Sequence, residues 1–119
     1  MPEVKPIVIN KTVAASAAGY IDVTITQQSV IRNLVQLYPI NQQMKMRVRP
    51  MIKRPRDDAF QDLIIFPPET EQYIAGSGGE PMGYPMVIDC PVGTVIRLSY
   101  VNADTVDEQT LYINIWRSV

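Results

Sequence analysis

The chain has 119 residues, of which 12 are acidic and 11 are basic, so its net charge of −1 does not attract it to nucleic acid or to an anionic membrane. Histidine is absent and Cys90 is the single cysteine, which excludes an intramolecular disulfide, a thiolate zinc cluster and any nucleophile–histidine pair. Hydrophobic residues make up 46% of the chain, which predicts one folded domain. No apolar run approaches the roughly 20 residues of a transmembrane helix, so we expect no membrane partner.

The first third of the chain is predicted to form an arm and two strands. Residues 1–18 are expected to be an N-terminal arm or edge strand followed by an Ala-rich connector, because prolines interrupt the strand pattern of residues 4–10. Residues 19–26 alternate with period two, which predicts a strand. One face should carry Tyr20, Asp22, Thr24 and Thr26, and the other Ile21, Val23 and Ile25. Residues 30–38 fit a strand or two helical turns, and their β-branched content favours the strand.

The remaining segments also alternate between apolar and polar residues, and prolines and glycines separate them. Strands are predicted at residues 44–52, 62–66, 72–75 and 84–90, and two more within residues 91–102 and 109–119. We expect the last two to form an antiparallel pair that closes the chain. Their apolar faces are predicted to carry Ile96, Leu98 and Tyr100 on the first strand, and Leu111, Ile113 and Ile115 on the second.

These segments amount to about eight strands, with turn signals at a spacing of about 8–12 residues and little room for a helix. This pattern is typical of an all-β fold with a single antiparallel β-sandwich that resembles a jelly roll. The predicted sandwich domain covers residues 19–119.

The stretch "MKMRVRPMIKRPRDD" is the most basic part of the chain. It contains Lys45, Arg47, Arg49, Lys53, Arg54 and Arg56, which are the candidate interface residues. Because Met, Val and Pro alternate with the cations and no aromatic residue is interleaved, nucleic acid is a less favoured partner. Two alternatives stay open, a solvated outer face that protects the sheet from edge pairing and an interface with an acidic partner.

Two further segments bear on possible ligands. The segment "AGSGGEP" is Gly-rich, but it lacks the Gly-Lys-Ser/Thr ending of a phosphate-binding loop, which predicts a plain connecting loop. The segment "NADTVDE" is rich in oxygen ligands without the EF-hand spacing, so a solvated hairpin loop is favoured over a calcium site. We therefore expect no cofactor, no metal and no enzymatic activity. Were the chain an enzyme, paired acids among Asp22, Asp89 and Asp104 would be the candidates.

The aromatic residues Tyr84, Tyr112 and Trp116 suggest a second kind of site. Tyr112 and Trp116 fall on one face of the last predicted strand, and Tyr84 could join them to form a platform on which a sugar stacks. The alternative is that these rings pack the sheet against a neighbour or anchor an interface, where Tyr and Trp are enriched.

The closing segments "CPVGTVIRLSYVN" and "TLYINIWRSV", with the earlier "MKMRVRPMIKR" and "DLIIFPPETEQYIAG", resemble the strands of small jelly-roll auxiliary proteins of bacteriophage particles. Such proteins include capsid decoration proteins and head or tail spike modules. The resemblance covers about residues 19–119. It implies a non-enzymatic structural protein of the virion, assembled in the host cytoplasm. It also implies a homo-oligomer, expected to be a homotrimer, attached to a major capsid or tail protein. Carbohydrate-binding modules share this architecture, which leaves glycan binding as the alternative function.

Overall fold

The computed structural model describes residues 3–36, 46–63 and 82–119, with the backbone alone described for residues 35–36 and 82–86. These residues form eight strands and contain no helix. The strands are β1 (Ile7–Val13), β2 (Ala18–Thr24), β3 (Ser29–Gln36), β4 (Met46–Lys53), β5 (Gln61–Asp62), β6 (Met82–Cys90), β7 (Val95–Asn102) and β8 (Gln109–Ser118). The predicted strand at residues 72–75, the end of the one at 62–66 and the Gly-rich loop lie outside the described residues.

The strands are arranged in two four-stranded antiparallel sheets. The first sheet has the order β1-β8-β3-β6 and the second has the order β2-β7-β4-β5. The first strand pairs with the last, the second with the second last, and so on: β1 with β8, β2 with β7, β3 with β6 and β4 with β5. This nested pairing is the topology of a jelly roll, and the predicted all-β sandwich is confirmed.

The core lies between the two sheets and follows the predicted alternation. In β7, Ile96 and Leu98 are fully buried and Tyr100 is nearly so, whereas the residues between them reach the surface. In β8, Leu111, Ile113 and Ile115 are fully buried. Burying each of these large aliphatic side chains contributes about 1.5–3 kcal/mol relative to its exposure, so these alternating rows supply much of the driving force for folding.

The prediction that the last two strands form an antiparallel pair is wrong. β7 lies between β2 and β4 in the second sheet, and β8 lies between β1 and β3 in the first. The loop that joins them crosses from one sheet to the other, beside the β1–β2 turn, which makes the same crossing. The side-chain amide of Asn102 ties the two crossings together, because it donates to the carbonyl oxygens of Val13 and Ala14, both at 3.2 Å.

The N-terminal part of the chain is an edge strand of the first sheet. β1 begins at Ile7 and ends at Val13, so it extends into the segment that was predicted to be a connector. Ile9 and Val13 belong to the core. Before β1, Val4 forms an isolated bridge with Ser118, which places this segment beside the end of β8.

Two further strand predictions agree with the described residues. The segment that fitted a strand or a helix is the strand β3, with a bulge between Ile31 and Asn33. The basic strand β4 begins at Met46 and alternates between buried and accessible residues as predicted. Met44 and Lys45, which were expected to open this strand, lie outside the described residues.

Candidate functional site

The outer face of the second sheet carries a network of charged and aromatic side chains. Its cross-strand rows follow from the pairing of β2, β7, β4 and β5. One row contains Tyr20, Ser99 and Arg49, and the next contains Asp22, Arg97, Met51 and Asp62. Since directly paired residues in an antiparallel sheet share a face with Cβ atoms about 4.5–5.5 Å apart, each row is a line of side-chain contacts.

Arg97 is at the centre of this network. Its guanidinium carbon lies 4.1 Å from the centroid of the Tyr20 ring and 4.0 Å from that of the Phe60 ring, so the planar cation is stacked against two aromatic rings. Its Nε and Nη2 atoms donate to the two carboxylate oxygens of Asp22 at 2.8 and 3.0 Å. These contacts hold the side chain in one geometry although part of it stays accessible to solvent.

A second bidentate pair lies beside the first. Arg49 Nε and Nη2 donate to Asp62 Oδ1 and Oδ2 at 2.6 and 2.7 Å. The hydrogen bonds from Arg49 and Arg97 lower the pKa of Asp62 and Asp22 respectively, and they outweigh the desolvation that acts in the opposite direction. Both carboxylates are therefore held in the ionised form.

Most of the basic candidates identified in the sequence lie on this outer face or in the turn beside it. Arg49 has an acidic partner within its own chain, and Arg47 lies exposed on the same outer face of β4. Lys53 ends β4, with its Nζ atom 6.0 Å from the centroid of the Phe60 ring. Arg54 and Arg56 are exposed in the turn that follows. Asp57 and Asp58 follow in the same turn, and Asp57 Oδ2 accepts from the Arg54 backbone N–H at 2.8 Å, so the margin of this face is only slightly basic.

Apart from the alternation of the strands, no feature of the sequence indicates this arrangement. Asp22 and Arg97 are 75 positions apart in the chain, and Phe60 lies in a loop that has no strand pattern. The three residues meet because β2 and β4 both pair with β7. Such an arrangement follows from strand order, which alternation does not determine.

The "NADTVDE" loop crosses from one sheet to the other and is not a hairpin loop. Its first residues are largely buried, whereas residues 105–108 are exposed. Asn102 is fully buried and Asp104 is 8% exposed. Asp104 Oδ1 accepts from the backbone N–H groups of Val106 and Asp107 at 2.9 and 3.0 Å, so this carboxylate serves the loop backbone. In the described part of the chain, no group of three or more His, Cys, Asp or Glu side chains is placed to hold a metal ion.

The structure separates the acidic and the aromatic candidates. Asp22 lies on the outer face of the second sheet, and Asp89 is exposed on β6 at an edge of the first sheet, so the two lie on different sheets. Tyr112 and Trp116 share the outer face of β8, as expected from alternation. Tyr84 lies in β6, where it is paired with Leu34 of β3. Strand β6 is two strands away from β8, and the side chain of Tyr84 lies outside the described part.

Two further observations concern reactivity and membrane contact. Cys90 is fully buried, and desolvation raises the pKa of its thiol, which indicates a core residue rather than a nucleophile. Within residues 3–36, 46–63 and 82–119 there is no helix of the length and apolar character needed to span a membrane. Comparison of the chain with family models, curated proteins and solved structures finds no match.

Proposed function

We propose that the chain is a non-enzymatic structural protein of a virion, a decoration, auxiliary or spike component. In this proposal it binds copies of itself and a capsid or tail protein through the outer face of the second sheet. The observation that carries the proposal is the stacking of Arg97 between Tyr20 and Phe60 on an exposed sheet face. The jelly-roll topology supports it as well, since this fold is common among capsid domains.

The chemistry of the stack suits a protein interface. Arg and aromatic residues are enriched at interface cores and among the residues that dominate binding energy. Tyr20 is 58% exposed, so most of its surface is available to a partner. Because Arg97 is already fixed by two rings and a carboxylate, a partner would meet an ordered surface, and the entropic cost of ordering it on binding would be small.

The charges around the stack indicate the kind of partner surface. Arg49 and Arg97 are each matched by a carboxylate of the same chain. The margin carries four cations against the two carboxylates of Asp57 and Asp58, so it keeps a small excess of positive charge; the cations are Arg47, Lys53, Arg54 and Arg56. A partner would therefore place apolar or aromatic groups against the stack and acidic groups against the margin. Association should be slower at higher salt, because charges at an interface margin act mainly on the association rate.

Sedimentation velocity over a concentration series, together with co-purification from virus particles, tests the proposal. We expect an oligomer, which for this class would be a homotrimer, and we expect Tyr20→Ala to shift it towards monomer. Trp116→Ala is the matched control, because it removes an exposed aromatic ring from the other sheet and should leave assembly unchanged. A chain that is monomeric at every concentration and that is missing from purified particles would rule the proposal out.

A further inference from the structure

The outer face of the first sheet differs chemically from that of the second. On β1 and β8 it presents hydroxyl, amide, aliphatic and aromatic groups, and the described residues of these strands place no charged side chain there. These outward residues are Val8, Asn10 and Thr12 on β1, and Thr110, Tyr112, Asn114 and Trp116 on β8. Charge enters at the neighbouring strands, where Arg32 at the bulge of β3 donates to Ser118 Oγ at 3.4 Å and Asp89 is exposed on β6. These two charges have opposite signs, so the face offers little net attraction to an ionic ligand, and any ligand that it selects should be neutral and polar.

The register groups these residues around two aromatic rings. Trp116 is paired with Asn33 of β3, and Tyr112 is paired with Asn10 of β1. Asn114 lies between the two rings along β8. Since a strand rises about 3.3 Å per residue, Tyr112 and Trp116 lie about 13 Å apart. A ligand that touches both rings must therefore be longer than a single sugar unit.

Two amide oxygens on this face have no hydrogen-bond donor among the described residues. The Oδ1 atoms of Asn33 and Asn114 are buried and accept no hydrogen bond from the described part of the chain. A buried acceptor without a donor is unfavourable, and native structures satisfy more than about 90% of such backbone groups and most such side-chain atoms. Both residues are only partly buried, so rotation about the broad χ2 torsion, which exchanges the amide oxygen and nitrogen, can turn Oδ1 towards the surface, where a ligand hydroxyl can donate to it.

We infer that the outer face of β1, β8 and β3 is a binding site for a neutral oligosaccharide. The C–H faces of sugar rings would stack on Trp116 and Tyr112, because each of these rings has an apolar face and a polar group that can stay hydrated. Sugar hydroxyls would exchange hydrogen bonds with the amides of Asn33 and Asn114, each of which offers both donors and an acceptor. This site lies on the other sheet from the proposed assembly surface and is independent of it.

An array of neutral glucan, mannan and N-acetylglucosamine oligomers, with sulfated and sialylated glycans beside them, tests the inference. Titration calorimetry then measures the affinity for the best neutral oligomer. We expect Trp116→Ala to weaken binding by about tenfold or more, as expected for loss of a central Trp contact, and Asn33→Ala to weaken it too. Trp116→Phe should keep part of the affinity, and Phe60→Ala on the second sheet should keep all of it.

Three results would overturn the inference: no neutral glycan binds, only charged glycans bind, or Trp116→Ala and Asn33→Ala both bind as tightly as the unchanged chain. Trp116 is 40% exposed and Asn33 lies outside the apolar core, so neither substitution removes a core residue. Thermal unfolding of each variant verifies that it is folded under the conditions of the binding measurement.

Discussion

The guanidinium carbon of Arg97 lies 4.1 Å from the centroid of the Tyr20 ring, on an exposed sheet face. Phe60 contacts the same cation at 4.0 Å, and Asp22 accepts two of its hydrogen bonds. Arginine alone among the basic side chains can stack between two rings and form a bidentate pair with a carboxylate at the same time. These contacts therefore require an arginine at position 97, and a positive charge alone is not sufficient to form them.

Replacing Arg97 with Lys should lower the free energy of unfolding, because lysine keeps the charge but loses the planar stacking and the paired hydrogen bonds. Urea unfolding of the two proteins measures the difference. Arg56→Lys is the matched control, because Arg56 is exposed in a turn and its replacement should change stability little. Equal losses for the two variants would show that the stack does not stabilise the fold.

Replacing Gly19 with Ala should destabilise the protein by about 1–3 kcal/mol, as overpacking typically does. A Cβ atom at this position would lie 2.7 Å from Tyr100 Oη and 3.0 Å from its Cζ atom, and Tyr100 is only 7% exposed, so the ring cannot simply move into solvent. Combining the change with Tyr100→Phe removes the closest contact and should restore part of the loss. Thermal unfolding of the single and double variants measures both effects, and a stable Gly19→Ala protein would contradict the packing described here.

Replacing Asn102 with Ala should lower the free energy of unfolding by about 3 kcal/mol, because several groups in the crossing lose their partner at once. The amide donates to Val13, Ala14 and Asp107 carbonyl oxygens, each at 3.2 Å, and its Oδ1 accepts from the N–H of Asp104 at 2.9 Å. Asn10→Ala, at an exposed position of β1, is the control and should cost much less. A similar midpoint of denaturation for both variants would mean that the crossing contributes little to stability.

Stability should decline as the pH falls below about 4. The pKa values of Asp22 and Asp62 are lower in the folded protein than in the unfolded chain, mainly because Arg97 and Arg49 donate hydrogen bonds to them. Their contribution is therefore fully present above the unfolded-state pKa of about 3.9, and it is lost as the pH falls through the folded-state values. Because the pairs are partly exposed, solvent screens them and the contribution of each is small.

A double variant isolates this contribution. Asp22→Asn with Asp62→Asn should unfold more easily near neutral pH and should show a shallower loss of stability as the pH falls below about 4. Chemical denaturation at a series of pH values measures both quantities. An unchanged pH dependence in the double variant would show that these two carboxylates are not responsible.

Alternation of apolar and polar residues was enough to predict most strands and their buried faces. It placed Ile96 and Leu98 in the core and Tyr20 and Asp22 on the surface, as the structure shows. A strand that buries one face alternates between apolar and polar residues whichever strands are its neighbours. The prediction of the buried faces was therefore correct.

Alternation does not specify which strands are neighbours, and the errors follow from this. The two final strands each bury one face, and that pattern is the same whether they share a sheet or face each other across the core. Asn102 and Asp104 were expected in a solvated loop because their side chains are polar. They are buried instead, since backbone groups of the crossing supply their hydrogen bonds. The stack of Arg97, Tyr20 and Phe60 also depends on strand order, so it could not be predicted.

The most direct test of the assembly surface is a charge exchange between Arg49 and Asp62. Arg49→Asp alone breaks the pair within the chain, whereas Arg49→Asp with Asp62→Arg restores a pair of opposite orientation. Denaturation and sedimentation velocity of both variants separate the fold from assembly. If the outer face of the second sheet binds a neighbour, the double variant should recover the stability of the unchanged chain but not its oligomerisation. Full recovery of both, or assembly that Arg49→Asp leaves intact, would contradict the account.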